Sequence, residues 1–181
     1  MRTRVVNLVA GPCAGKTVVS ALLFAHLKKA GYLTEFAQEY AKDLVWQERF
    51  DELDNQYHVS TQQYRKFKSM VGKVEFIVTD GSLIHGLYYN RHNPTNVCDV
   101  DKTEKKILEY HNEFENIVIF VERGNFPFEQ AGRQQNEAES KSIDTEIKNI
   151  LLRHNISYIT FRNGVDSLET LANLIVSNLE K

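Results

Sequence analysis

An α/β fold with a five-stranded parallel sheet covered by helices on both faces is what the sequence predicts, and three observations carry that prediction. Five short, β-branched apolar runs recur along the chain. The segments between them place apolar residues at helical spacing, and several of those segments begin or end in capping signals. Strands that read as continuously apolar and alternate with helices belong in a parallel sheet buried on each side.

The elements follow in order. Arg4 to Ala10 is a short β-branched run that ends in the Gly11-Pro12 turn signal, so it is the first strand. From Gly15 to Ala30 the positions Val18, Leu22, Leu23, Ala25, His26 and Leu27 repeat helically, and Gly31 offers a C-cap. Tyr32 to Ala37 is the second strand. A polar, helix-prone stretch from about Glu39 to Met70 is expected as two helices broken near Asp51 to Asn55. Val74 to Thr79 is the third strand, followed by Asp80-Gly81. Gly86 to Asp101, rich in Asn, His and Pro, is expected as a long loop bordering an acceptor pocket. A helix is expected from Asp101, with Glu104 in the capping-box position. Ile117 to Val121 and Ile156 to Phe161 are the fourth and fifth strands. Between them lie a polar loop, Arg123 to Gln135, and a helix from about Glu137 to His154. The last helix is expected to open at Asp166, with Glu169 completing its capping box. In such folds ligands sit beyond the carboxyl ends of the strands.

Bulk properties narrow the setting. A chain of 181 residues, 42% hydrophobic and 25% charged, suits a single domain with one sizeable core, taken as residues 1–181. A net charge of -2 supplies no global field for nucleic acid or an anionic membrane, although a local basic groove stays open. The first apolar run is too short for a membrane span, and no membrane partner is expected. Two cysteines, Cys13 and Cys98, are too few for a disulfide framework and lack metal spacing, which points to a reducing, cytoplasmic setting.

The most specific signal is Ala10-Gly11-Pro12-Cys13-Ala14-Gly15-Lys16-Thr17, which follows a strand and opens a helix. That is the context of a phosphate-binding P-loop, or Walker A motif, in which loop N–H groups and a helix N-terminus converge on anionic oxygens. Gly15 permits close backbone approach, Lys16 reaches the β- and γ-phosphates of ATP, and the Thr17 hydroxyl coordinates Mg²⁺. Gly11, Pro12, Cys13 and Ala14 complete the nucleotide-binding set. Ala10 stands where the first glycine is usual, with Gly11 directly after it. Cys13 is expected as a small loop residue rather than a nucleophile.

Phosphoryl transfer needs a second magnesium-positioning group, and Asp80 at the end of the third strand has the right placement. Glu39, just beyond the second strand, lies where an acceptor hydroxyl would approach and could be oriented or deprotonated. Glu35, within the strand, is the weaker competitor. Arg123 and Arg133 bracket a polar, aromatic-studded segment, a candidate lid over 123–135 that would neutralise charge on the transferring phosphate.

Taken together these residues resemble the P-loop kinase family that includes the ribosylnicotinamide kinase domain of NadR and related phage proteins labelled as AAA-type ATPases. The resemblance runs through Gly15-Lys16-Thr17, Glu39-Tyr40-Ala41-Lys42, Gln62-Gln63-Tyr64, Thr79-Asp80 and Arg123…Pro127…Gly132-Arg133. It implies Glu39 as the substrate-hydroxyl residue, Asp80 as the magnesium-side carboxylate and Arg133 as a lid residue. Lys42 stands where family members often carry Arg, and Phe126 or Phe128 where they carry a lid Trp. The resemblance implies a kinase acting on a nucleoside-like or nucleotide-like hydroxyl.

Two alternatives stay open. One is a phage DNA-modification kinase acting on hydroxymethylpyrimidine in DNA, for which the stripe Tyr64-Arg65-Lys66-Phe67-Lys68 and Lys73 could track a backbone. A solvated helix face with Tyr64 and Phe67 turned inward is the preferred reading of that stripe. The other is an NTPase switch without an acceptor. The six histidines show no metal-ligand spacing. His85 is singled out with Tyr88, Tyr89 and Asn90 as a place where an acceptor base could stack. Trp46 is read as packing, and Glu137 to Glu146 as an exposed helix face.

Overall fold

The computed structural model describes residues 1–124, 127–128 and 136–177. Strands β1 (Arg4–Val9), β2 (Thr34–Ala37), β3 (Phe76–Thr79), β4 (Glu115–Glu122) and β5 (Ile159–Arg162) form one sheet in the order β2-β3-β1-β4-β5. Every pairing is parallel, with Asn7 opposite Thr79 on one side of β1 and opposite Val118 on the other. The strand count, direction and α/β class expected from the alternating apolar runs are therefore what the chain adopts.

Alternation along the central strands divides the core into two layers. Val6, Leu8, Val78, Ile119 and Val121 face α1 (Lys16–Lys29) and α8 (Leu168–Ser177), packing on Leu23, Leu27, Leu171 and Ile175. Val5, Val9, Ile77 and Phe120 face the other way. There they meet α4 (Gln56–Met70), α5 (Leu83–His92), α6 (Val100–Asn112) and α7 (Glu137–Arg153) through Phe67, Ile84, Ile107 and Ile147. Two short helices, α2 (Tyr40–Trp46) and α3 (Phe50–Leu53), lead from β2 into α4.

Several boundaries differ from expectation, each for a local reason. The stretch 86–101 is not a long loop, because its first half continues α5 through His92. Ser82 caps that helix by accepting from the Ile84 N–H, and Leu83, Ile84 and Leu87 are buried, so packing overrides the Asn- and His-rich composition. Only seven residues, 93–99, separate α5 from α6. The N-cap of α6 is Asp99, which accepts from the Lys102 N–H at 3.0 Å, rather than Asp101. Likewise α8 begins at Leu168, and Asp166 instead pairs with Arg162 at 2.7 Å. The 39–70 stretch is broken twice, yielding α2, α3 and α4.

Candidate active site

Beyond the carboxyl ends of β1 and β3 lies a cavity of about 1360 Å³. Its floor is the loop from Ala10 to Gly15. Gly15 has φ of +92° and starts α1, a conformation open to glycine and closed to most side chains; a Cβ there would also lie 2.1 Å from Asn163 Nδ2. Lys16 Nζ donates to the Ala10 and Gly11 carbonyls, at 2.9 Å each. Burial lowers its pKa, and the carboxylates of Glu39, Asp80 and Asp144 oppose that shift, so the ammonium stands among acids within a poorly solvated loop.

The Thr17 hydroxyl donates to Asp80 Oδ2 at 2.7 Å. Asp80 is 4% exposed, and its other oxygen, Oδ1, is buried with no hydrogen-bond partner. A hydroxyl beside a carboxylate with an unused buried oxygen fits a magnesium ion that takes its remaining ligands from phosphate and water. Among the described residues no group of three or more His, Cys, Asp or Glu side chains could hold a metal, so the fit is to this shared kind of site.

Glu39 reaches the cavity because β2 ends beside β3. Gly81 makes the close approach possible, since a Cβ there would lie 2.5 Å from the Glu39 Cα. Glu39 occupies the N-cap position of α2 without spending its side chain on capping, and it lines the cavity. Gln63 does that capping instead, accepting from the Tyr40 N–H at 2.8 Å. Burial raises the Glu39 pKa, with Lys16 pulling it back down and Asp80 pushing it up. The Tyr89 phenol is pushed upward by burial and then by the Glu39 charge, which makes it a neighbour of that carboxylate.

Arg123 is near the loop but is not a free lid arginine. Its Nε pairs with Asp144, its Nη1 donates to the Pro12 carbonyl at 2.8 Å, and its Nη2 donates to Ser140 Oγ at 2.6 Å. Asp144 in turn accepts from the Gly11 N–H at 2.6 Å, while the Ser140 hydroxyl donates to the Pro12 carbonyl. The arginine therefore bolts α7 to the outer side of the loop. Arg133, Phe126 and most of the candidate lid lie outside the described residues; Pro127 and Phe128 line the cavity.

Sequence reasoning missed Asp144, Ser140 and Asn163, and it read the Ser140–Asp144 helix as an exposed face. The signal was present, because Ile143, Ile147, Ile150 and Leu151 make an apolar stripe whose next turn upward is Ser140. Asn163 donates to the Ala14 carbonyl at 3.2 Å, tying the end of β5 to the loop. His85 is 6% exposed and packs under the loop, where its Nε2 accepts from the Ala10 N–H at 3.4 Å. Burial and then Lys16 hold its pKa well below the ordinary value, which favours the neutral ring. Glu35 points away, exposed and paired with Lys28 at 3.2 Å. In the basic stripe, Phe67 is buried, Tyr64 stacks on Tyr110 with centroids 4.1 Å apart, and Lys66 and Lys68 pair with Asp43 and Glu113.

This loop, on a parallel sheet ordered β2-β3-β1-β4-β5, defines a P-loop nucleotide-binding fold of the nucleoside- and nucleotide-kinase type. Within that class the chain belongs to a family described as AAA domain, whose model matches residues 5–167. No curated protein matches the chain. Among solved structures, the YorR protein from Bacillus subtilis in complex with phosphorylated GDP superposes with a TM-score of 0.58 at 13% identity, covering 97% of this chain and 95% of that one. Deoxyadenosine kinase from M. mycoides, with products dCMP and dCDP bound, also gives 0.58, at 17% identity and over 97% and 98% of the two chains. At these identities the likeness concerns the fold.

Proposed function

We propose that the protein is an ATP-dependent kinase that transfers the γ-phosphoryl group to a hydroxyl of a nucleoside-like or nucleotide-like acceptor. The observation that carries this reading is the shared cavity: Glu39 lines the same space as Lys16 and Thr17, so one carboxylate faces the acceptor side of a phosphate cradle. The loop N–H groups and Lys16 would hold the triphosphate, and Thr17 with Asp80 would hold Mg²⁺, which would neutralise phosphate charge when bound. Glu39 accepts the acceptor hydroxyl's proton as that oxygen bonds to the γ-phosphorus and the bond to ADP breaks. Arg123 keeps the loop in shape, and any lid role falls to Arg133.

The solved structures sharing this fold include a named kinase and a guanine-nucleotide complex, which supports the same class of chemistry. A DNA-borne acceptor is the weaker reading, because Lys66 and Lys68 are already neutralised by Asp43 and Glu113. No helix among the described residues is long and apolar enough to cross a membrane. Turnover of γ-labelled ATP with Mg²⁺ against nucleosides, their monophosphates, nicotinamide riboside and hydroxymethylpyrimidine DNA tests the proposal. Label moving to an acceptor supports it; label released only as free phosphate, at a rate no acceptor alters, replaces it with an NTPase switch.

A further inference from the structure

Ala10 and Gly11 form the step from β1 into the phosphate loop, and side chains claim their backbone polar groups. Both carbonyls accept from Lys16 Nζ, at 2.9 Å each. The Gly11 N–H donates to Asp144 on α7, and the Ala10 N–H donates to His85 Nε2 on α5 at 3.4 Å. Each of the two residues is therefore tied on one side to the lysine and on the other to a helix remote in sequence.

Ala10 is also held from both faces of the sheet. It is 1% exposed and belongs to the apolar layer that contains Val19 and Leu23 of α1. Its N–H reaches a helix of the opposite layer, since Leu83, Ile84 and Leu87 of α5 pack with Phe67 and Ile147. An alanine at this step has fewer backbone conformations open to it than the usual glycine, so anchoring its N–H leaves the residue little freedom.

The cost of the imidazole is the second observation. His85 is 6% exposed, and its Nδ1 is buried with no hydrogen-bond partner among the described residues. Packing alone would be served better by an aliphatic side chain of similar volume. The bond from Ala10 is what the ring provides that an aliphatic group would not.

We propose that His85 is a positioning residue for nucleotide binding: by accepting from the Ala10 N–H it fixes the residue whose carbonyl receives Lys16, and so sets the loop for a triphosphate. This rests on the phosphate-cradle part of the function proposed above and is independent of whether an acceptor is phosphorylated.

Calorimetric titration of the full-length protein with ATP and with inorganic tripolyphosphate, each with Mg²⁺, tests it, because the second probe has no base or sugar. His85→Leu is expected to weaken both ligands about tenfold, the effect of leaving a buried donor unpaired. His85→Gln, whose amide oxygen reaches about as far as Nε2, is expected to return both to within about threefold of wild type, whatever its thermal midpoint. His85→Asn, too short to reach Ala10, takes the place of the leucine variant if that one does not fold. His111, buried to 5% exposure on α6 and absent from the cavity wall, is the control, and His111→Leu is expected to bind as wild type. Unchanged affinity in His85→Leu overturns the inference, as does a glutamine variant no better than the leucine one. A loss seen with ATP but not with tripolyphosphate would move His85 to the base side and overturn it too. An equal loss in His111→Leu would reduce the effect to that of removing any buried histidine. Wild-type protein that binds neither ligand overturns the cradle together with this inference. Wild-type protein that binds both ligands but transfers label to no acceptor removes the kinase reading and leaves this one standing.

Discussion

The two ends of the cavity are built by different means. The phosphate end is a single loop whose main-chain groups are fixed by side chains arriving from distant elements: Asp144, Ser140 and Arg123 on one side, Asn163 on another, and His85 beneath. The other end, which the proposed function gives to the acceptor, is a set of side chains on separate helices, with Trp46 standing exposed at the end of a seven-residue helix. Main-chain recognition of phosphate tolerates variation in side chains, provided the loop keeps its shape. Recognition by side chains on helices changes with every substitution. One end can thus be common to many relatives while the other differentiates them.

Substitutions sharpen this contrast in a graded way. If the proposed kinase reading holds, Lys16→Ala should cut transfer by about three orders of magnitude or more with little change in thermal midpoint, since on that reading the lysine neutralises transferring charge rather than packing the core. Full activity in that variant would remove the loop from the chemistry. Glu39→Gln should lower kcat about a hundredfold while sparing ATP binding. Because burial raises the Glu39 pKa, wild-type kcat should fall as pH drops through a value above the ordinary 4.5, and the glutamine variant should lose that acid limb. A Glu39→Gln defect confined to ATP affinity would assign the carboxylate to the phosphate end instead.

Asp144→Ala leaves the Gly11 N–H and the Arg123 guanidinium without their shared acceptor. It should raise the KM for ATP about tenfold and cost about 2 kcal/mol of stability by chemical denaturation. Equal loss of ATP and acceptor affinity would show that α7 supports both ends. Acidification probes the floor of the loop. His85 is held neutral and His111 is pushed down to about 4 by burial, so both folded pKa values lie below the ordinary 6.5. Their contribution is fully present above pH 6.5 and is lost as pH falls below it, because the unfolded chain takes up protons that the folded chain refuses. The thermal midpoint should therefore decline between pH 7 and 5, and His85→Leu should flatten part of that decline. Trp46→Ala carries the smallest stability effect, within about 0.5 kcal/mol, as expected for an exposed site. A larger loss would return Trp46 to the core.

What the sequence made legible follows the same division. The loop could be read because its donors, its lysine and its threonine are contiguous from Gly11 to Thr17 and sit between a strand and a helix. Asp80 and Glu39 could be placed because each follows a strand directly, so the parallel sheet carries both to one edge. The α/β class with five parallel strands was legible for a related reason: each strand is a short apolar run and each connection is long. The residues that brace the loop were not legible. Asp144 lies 133 residues from Gly11, and nothing local marks a helical aspartate as a loop anchor. Arg123 was noticed, but its company of Ser140 and Asp144, which ties it down, is a tertiary fact. Composition misled at 86–101, where Asn and His residues fit a helix because Leu83, Ile84 and Leu87 bury its other face.

The position of β1 has a consequence for how the molecule comes into being. The first strand lies at the centre of the sheet, with its neighbours β3 and β4 drawn from far along the chain, and its loop is braced by a carboxylate 133 residues later. A nascent chain emerging from its N-terminus would expose the phosphate-binding segment long before anything could hold it in shape. The cradle would then be among the last parts to set, completed when α7 docks, and pairings between such remote segments are slow to form. Destabilising α7 should accordingly delay the acquisition of nucleotide binding during refolding more than the formation of helices.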